Sequence, residues 1–126
     1  MPHWPPPSSA RCPVTAPGSV WERVIADTAD FGGAVLDGAS FLRASCLKAR
    51  FARASLVEAR LRRAKLMGAD MTRANLMQAN LERADLSLAD LTGANLHGAG
   101  LWRAKLEATK LARAITTKST LVRRSP

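Results

Sequence analysis

The sequence predicts a solenoid, a chain that turns a corner once every five residues. Alanine stands at every fifth position from Ala29 to Ala104, sixteen times without a gap, which is too long a run for coincidence. Two residues after the alanine comes a large apolar side chain: Phe31, Leu36, Phe41, Cys46, Phe51, Leu56 and onward to Leu111. A step of five suits neither regular structure. On an α-helix it turns the side chain by about 140°, which scatters the leucines around the axis. On a flat strand an odd step sends alternate leucines to opposite faces. A corner in each unit brings them together. Alanine, leucine and arginine favour helix over residues 40–114, but the period overrides that weaker preference.

The units also carry a signature. Ala69-Asp70-Met71, Ala74-Asn75-Leu76, Ala79-Asn80-Leu81, Ala84-Asp85-Leu86, Ala89-Asp90-Leu91 and Ala94-Asn95-Leu96 follow one another directly. This pattern resembles the pentapeptide-repeat family over roughly residues 29–123. The resemblance implies an all-β fold, a right-handed quadrilateral parallel β-helix in which four pentapeptides make one coil. The centre residue and the preceding alanine then point inward, and coils stack about 4.8 Å apart. Residues twenty apart form ladders: Phe31/Phe51/Met71/Leu91/Leu111, Leu36/Leu56/Leu76/Leu96, Phe41/Leu61/Leu81/Leu101 and Cys46/Leu66/Leu86/Leu106. Each buried rung stabilises by roughly 1.5–3 kcal/mol as an upper bound.

The remaining segments complete the expected organisation. Residues 1–18, with Pro5-Pro6-Pro7, read as a disordered proline-rich tail. Ser19 and Glu22 have capping-box spacing, and Val20, Trp21, Val24 and Ile25 follow with helical spacing. A short helix over 19–28 is therefore expected to cap the first coil, because an open solenoid end exposes apolar rungs. The repeats run over 29–114. Thr109 replaces an alanine and Thr116 a leucine, so 115–126 reads as a decaying last coil and basic tail.

Catalytic and metal chemistry find no pattern here. His3 and His97 stand alone, no Cys/His cluster has ligand spacing, and no cofactor is expected. Cys12 falls in the tail and Cys46 on an inward rung, where it serves as a small hydrophobe. Gly33, Gly38, Gly68, Gly93 and Gly98 all occupy the fifth place of their units, which suggests turn geometry rather than a phosphate loop. Asp70, Asp85 and Asp90 read as corner hydrogen-bonding groups. No apolar run reaches membrane-spanning length and no signal peptide is recognisable, so a cytoplasmic location is expected; the family resemblance implies a bacterial source.

Charge carries the functional information. The chain has 19 basic against 10 acidic residues. They sort unevenly over the sides. The side built on Phe41, Leu61, Leu81 and Leu101 bears Arg43, Arg60, Arg62, Arg63, Arg83 and Arg103 against Glu82 alone. The side before it bears Asp37 and Glu58 with no Lys or Arg. Arg43, Arg63, Arg83 and Arg103 recur every twenty residues as a vertical stripe, and Arg123 continues the register. Such a stripe is a candidate anion- or partner-binding surface, although arginine also serves as a long soluble cover for a corner. Some members of the family imitate DNA and bind type II topoisomerases. Arg50, Arg60, Lys65, Lys105 and Lys110 at the usual Asp/Asn place give the wrong sign for that. The expected function is a non-enzymatic interaction or scaffold module that offers its outer sides to a protein partner. Binding of nucleic acid or another polyanion through the stripe is the alternative.

Overall fold

The computed structural model describes residues 15–119. The expected tail over 1–14 and the last residues 120–126 lie outside the described part.

The chain forms five coils of twenty residues, 15–34, 35–54, 55–74, 75–94 and 95–114. Parallel bridges join each coil to the next with an offset of twenty, from Thr15 with Val35 to Asn95 with Ile115. Each coil has four sides, and each side is one pentapeptide. In the side centred on Phe41, the bridge residue is Ser40, Leu42 and Arg43 make the corner, and Ala44 N–H donates to the Phe41 carbonyl at 2.9 Å. Arg43 has φ 57°, and the equivalent residue is left-handed in every unit from Gly18 (φ 70°) to Lys118 (φ 57°). A positive φ at the third residue of such a turn is what closes the corner. It explains the glycines at this place, and it means that arginine and lysine elsewhere adopt a conformation L-residues disfavour.

The core is the expected set of ladders. Leu36, Leu56, Leu76 and Leu96 are fully buried, as are Phe41, Leu61 and Leu81, with alanines filling the space beside them. Leu106 and Leu111 are partly buried, because they sit in the last complete coil. Hydrogen bonds run between coils at three places in each unit. Leu81 N–H donates to the Gly100 carbonyl at 2.7 Å, Arg83 N–H to Trp102 at 2.9 Å, and Asn80 N–H to Ala59 at 2.9 Å.

This ladder leaves one amide per unit unused, that of the first corner residue. The Asp/Asn place supplies its acceptor. The side-chain Oδ1 atoms of Asp70, Asn75, Asn80, Asp85, Asp90 and Asn95 each accept from the N–H two residues on, at 3.0–3.2 Å. Where serine takes that place, an acid from the coil below reaches up instead. Asp27 accepts from both Ser45 Oγ (2.7 Å) and Leu47 N–H (3.0 Å), and Asp37 does the same for Ser55 and Val57. The aspartates are thus corner-holding groups, as the sequence suggested.

The first coil corrects the sequence reading. Residues 19–28 form no helix; they continue the solenoid, with Val20 bridged to Ser40 and Ile25 to Ser45. Trp21 is a core rung at the bottom of the Phe41 ladder, with its ring parallel to that of Phe41 and centroids 5.9 Å apart. It meets Phe31 edge-on at 5.6 Å. Ser19 caps nothing: its Oγ accepts from the Trp21 indole N–H at 2.7 Å, while Glu22 accepts from Ser40 Oγ at 2.8 Å. Val20 and Ile25, read as one face of a helix, point outward and are exposed. Strand-type pairing with the second coil outweighs a local capping signal, because it satisfies the backbone of the whole segment. Residues 15–18, placed by sequence in the tail, belong to this coil too, since Thr15 bridges Val35.

Candidate interaction surface

The corner that closes the Phe41 side holds the stripe. Because each corner residue is twenty places from the next, Arg23, Arg43, Arg63, Arg83 and Arg103 stand in one row, one per coil. Four coil steps of about 4.8 Å make a row of ~19 Å. The left-handed backbone at each of them (φ 57–59°) fixes the side chain at the corner. The guanidinium groups feel one another: the charge of Arg83, then burial, then Arg43 and Arg62, holds the Arg63 pKa below its usual value. Arg63 is solvated, so the repulsion it feels is screened and small.

An open groove of about 930 Å³ runs beside the row. Arg23, Arg43, Arg63, Arg83 and Arg103 line it, and the adjoining side, two residues past the corner, contributes Lys65, Asp85 and Lys105. Leu47, Ala64 and Met67 add apolar surface. Asp85 is the one carboxylate among these lining residues, and it is engaged by the Ser87 N–H at 3.0 Å.

Trp102 directly precedes Arg103 at the upper end of the row, outside the groove lining, and is 48% exposed. The Arg103 guanidinium lies 4.6 Å from its ring centroid and that of Arg83 lies 5.4 Å away. Arg83 Nε is shielded and its N–H finds no acceptor, while the guanidinium lies over the indole in a cation–π contact. Arg83, Trp102 and Arg103 thus form one cation–π cluster.

Of the six arginines singled out by sequence, the structure brings Arg43, Arg63, Arg83 and Arg103 together along the groove. Arg60 and Arg62 are exposed on the same side but do not line it. Arg23 was missed because residues 19–28 were assigned to a helix. Its spacing of twenty from Arg43 was the available signal. Trp102 was missed because a single exposed aromatic carries no pattern of its own.

Among the described residues, no group of three or more His, Cys, Asp or Glu side chains is placed to hold a metal ion, and no helix is long and apolar enough to cross a membrane. Cys46 is fully buried, and loss of solvation, with a smaller effect from Asp27, pushes its thiol up to about 12.

The twenty-residue coil and the corner geometry are those of a known family. The family model for pentapeptide repeats matches residues 44–83 and 74–113, with eight copies of the unit. The chain belongs to the pentapeptide-repeat family. A pentapeptide repeat protein from the cyanobacterium Cyanothece 51142 (Rfr23) superimposes with a TM-score of 0.72 at 28% identity, covering 82% of this chain and 88% of that one. Its likeness identifies the fold as the right-handed four-sided parallel β-helix. HetL, a pentapeptide repeat protein involved in heterocyst differentiation regulation in Nostoc sp. strain PCC 7120, is 23% identical over 80% of this chain and 73% of its own, with a TM-score of 0.31. A pentapeptide repeat protein of the Arabidopsis thaliana thylakoid lumen is 26% identical over 88% of this chain and 67% of its own, with a TM-score of 0.26. Comparison with curated proteins returned no match.

Proposed function

We propose that this pentapeptide-repeat protein is a non-enzymatic interaction module whose binding surface is the arginine-lined groove and whose partner is polyanionic there. One observation carries the reading. Five arginines at one pitch, Arg23 to Arg103, line a single groove together with Lys65 and Lys105, and one carboxylate opposes them. Arginine serving only as corner cover would not need this concentration on one side. A row of this sign attracts negative partners and speeds their encounter.

The test is retention on immobilised heparin. Arg43, Arg63, Arg83 and Arg103 changed together to Glu should abolish retention while leaving the circular dichroism spectrum unchanged. Reversing Lys48, Arg53, Arg73 and Lys110, which lie outside the groove, alters net charge equally and should weaken retention much less. Equal loss from both variants would mean general basicity and would overturn the reading.

A further inference from the structure

The arginine row borders the groove, and at its upper end Arg83 and Arg103 also pack against Trp102, which lies beside the row outside the groove lining. Resting on the reading of the groove as the binding surface, we propose that its ligand is a single strand of unpaired nucleic acid. Phosphates follow the row from Arg23 to Arg103, and a base stacks at the Arg83–Trp102–Arg103 cluster.

Three features favour this ligand over an acidic protein. The first is regularity. The arginines repeat once per coil in a straight line, which matches a polymer whose charges also repeat, whereas acids on a folded protein are irregularly placed. The second is the flat surface at the upper end. Trp102 is half exposed, with the Arg103 and Arg83 guanidinium carbons 4.6 and 5.4 Å from its ring centroid. Unpaired bases stack on aromatic rings and on guanidinium planes alike. An acidic peptide gains nothing from the indole. The third is apolar surface within the charged channel: Leu47 and Met67 line it, and Met67 is 40% exposed. Charged grooves with apolar and aromatic surface are how single strands are bound without sequence preference. A duplex keeps its bases paired and offers only its phosphates to this row.

The experiment is fluorescence anisotropy with labelled dT20, a 20-base-pair duplex and polyglutamate, each titrated with the full chain at several salt concentrations. dT20 should bind most tightly. Its log K should fall with log salt at a slope near −3.5 if all five arginines meet a phosphate, at about −0.7 each. Trp102→Ala should weaken dT20 by about tenfold, within the range measured for loss of one stacked base, without changing the slope. Trp102→Phe should restore most of the affinity. Arg63→Gln should reduce the slope by about 0.7. Trp102 is exposed, so an unchanged urea midpoint identifies the loss as one of binding. Equal binding of the duplex, or no effect of Trp102→Ala on dT20, overturns the single-strand assignment. Tighter binding of polyglutamate that depends on the arginine row overturns it too, while leaving the groove as the binding surface. Failure of all three probes to bind at low salt overturns both.

Discussion

Trp21 lies parallel to Phe41 with ring centroids 5.9 Å apart, so the indole forms the lowest rung of a ladder that leucines continue upward. Phe31 and Phe51 join them, stacked on each other at 5.0 Å. The aromatic rings therefore fill the lower coils, and the leucines the upper ones. Trp21→Ala should cost about 3 kcal/mol, at the low end for a large aromatic because solvent still reaches this rung. Trp21→Phe should cost less than ~1.5 kcal/mol. Urea denaturation measures both, and a negligible loss in the alanine variant would mean that the first coil is frayed.

The inward and outward faces differ most between neighbours. Leu81 is fully buried in mid-stack, and Leu81→Asp should unfold or aggregate the protein, because an unpaired charge cannot be accommodated there. Arg83→Ala, two residues away, should change stability by about 0.5 kcal/mol or less. Thermal melts of the pair distinguish the faces, and equal effects would contradict the ladders.

Corner conformation sets a separate cost. Gly38 has φ +71° with open space around the added Cβ, the nearest atom being Gly18 N at 3.9 Å. Gly38→Ala should therefore destabilise by about 1 kcal/mol through φ alone. Leu88 holds φ 63° while 64% exposed, so Leu88→Gly should stabilise by a similar amount. Midpoints that move in the same direction for the two would rule out backbone strain as the cause.

Asp90 titrates in a defined direction. The Thr92 hydroxyl donates to Asp90 Oδ1 at 2.6 Å and the Thr92 N–H at 3.0 Å, and these bonds hold the Asp90 carboxyl below its usual pKa. A depressed folded pKa stabilises above the unfolded value, near 3.9, and this contribution disappears as pH falls through the folded value. In Thr92→Val the Asp90 midpoint followed by NMR should rise, since the larger of the two bonds is lost. An unchanged midpoint would show that the hydroxyl does not bond the carboxylate.

Repulsion along the arginine row gives the last prediction. Because neighbouring guanidiniums lower the Arg63 pKa, screening by salt should raise the thermal midpoint. Arg63→Gln should raise it at low salt and reduce its dependence on salt. A midpoint that is indifferent to both changes would mean the guanidiniums are too solvated to interact.

The upper coils were legible in the sequence because alanine keeps its place in every unit from Ala29 to Ala104, with an apolar residue two places on each time. The first coil was not, because its residues exchange sizes. Val24 takes an alanine's place while Ala26 takes a leucine's, so that corner holds one larger and one small side chain as the others do. Volume is kept while the pattern is broken, and a reading by residue type sees only the pattern. The role of the Asp/Asn place was visible only in outline. That it supplies the acceptor for the one amide the ladder leaves free needed coordinates. The stripe was legible as a twenty-residue recurrence. Its aromatic end was not, because Trp102 meets Arg83 across coils, at a separation of nineteen residues.

The four-sided coil makes the arginine row sensitive to the length of any insertion. Adding or deleting twenty residues keeps every guanidinium on the same edge and only lengthens or shortens the row. Adding five leaves the fold's stacking rules satisfied but turns everything above the insertion by a quarter, so the upper arginines continue around an adjacent edge. Two such molecules would melt alike and differ only in whether one straight ligand can reach all five charges.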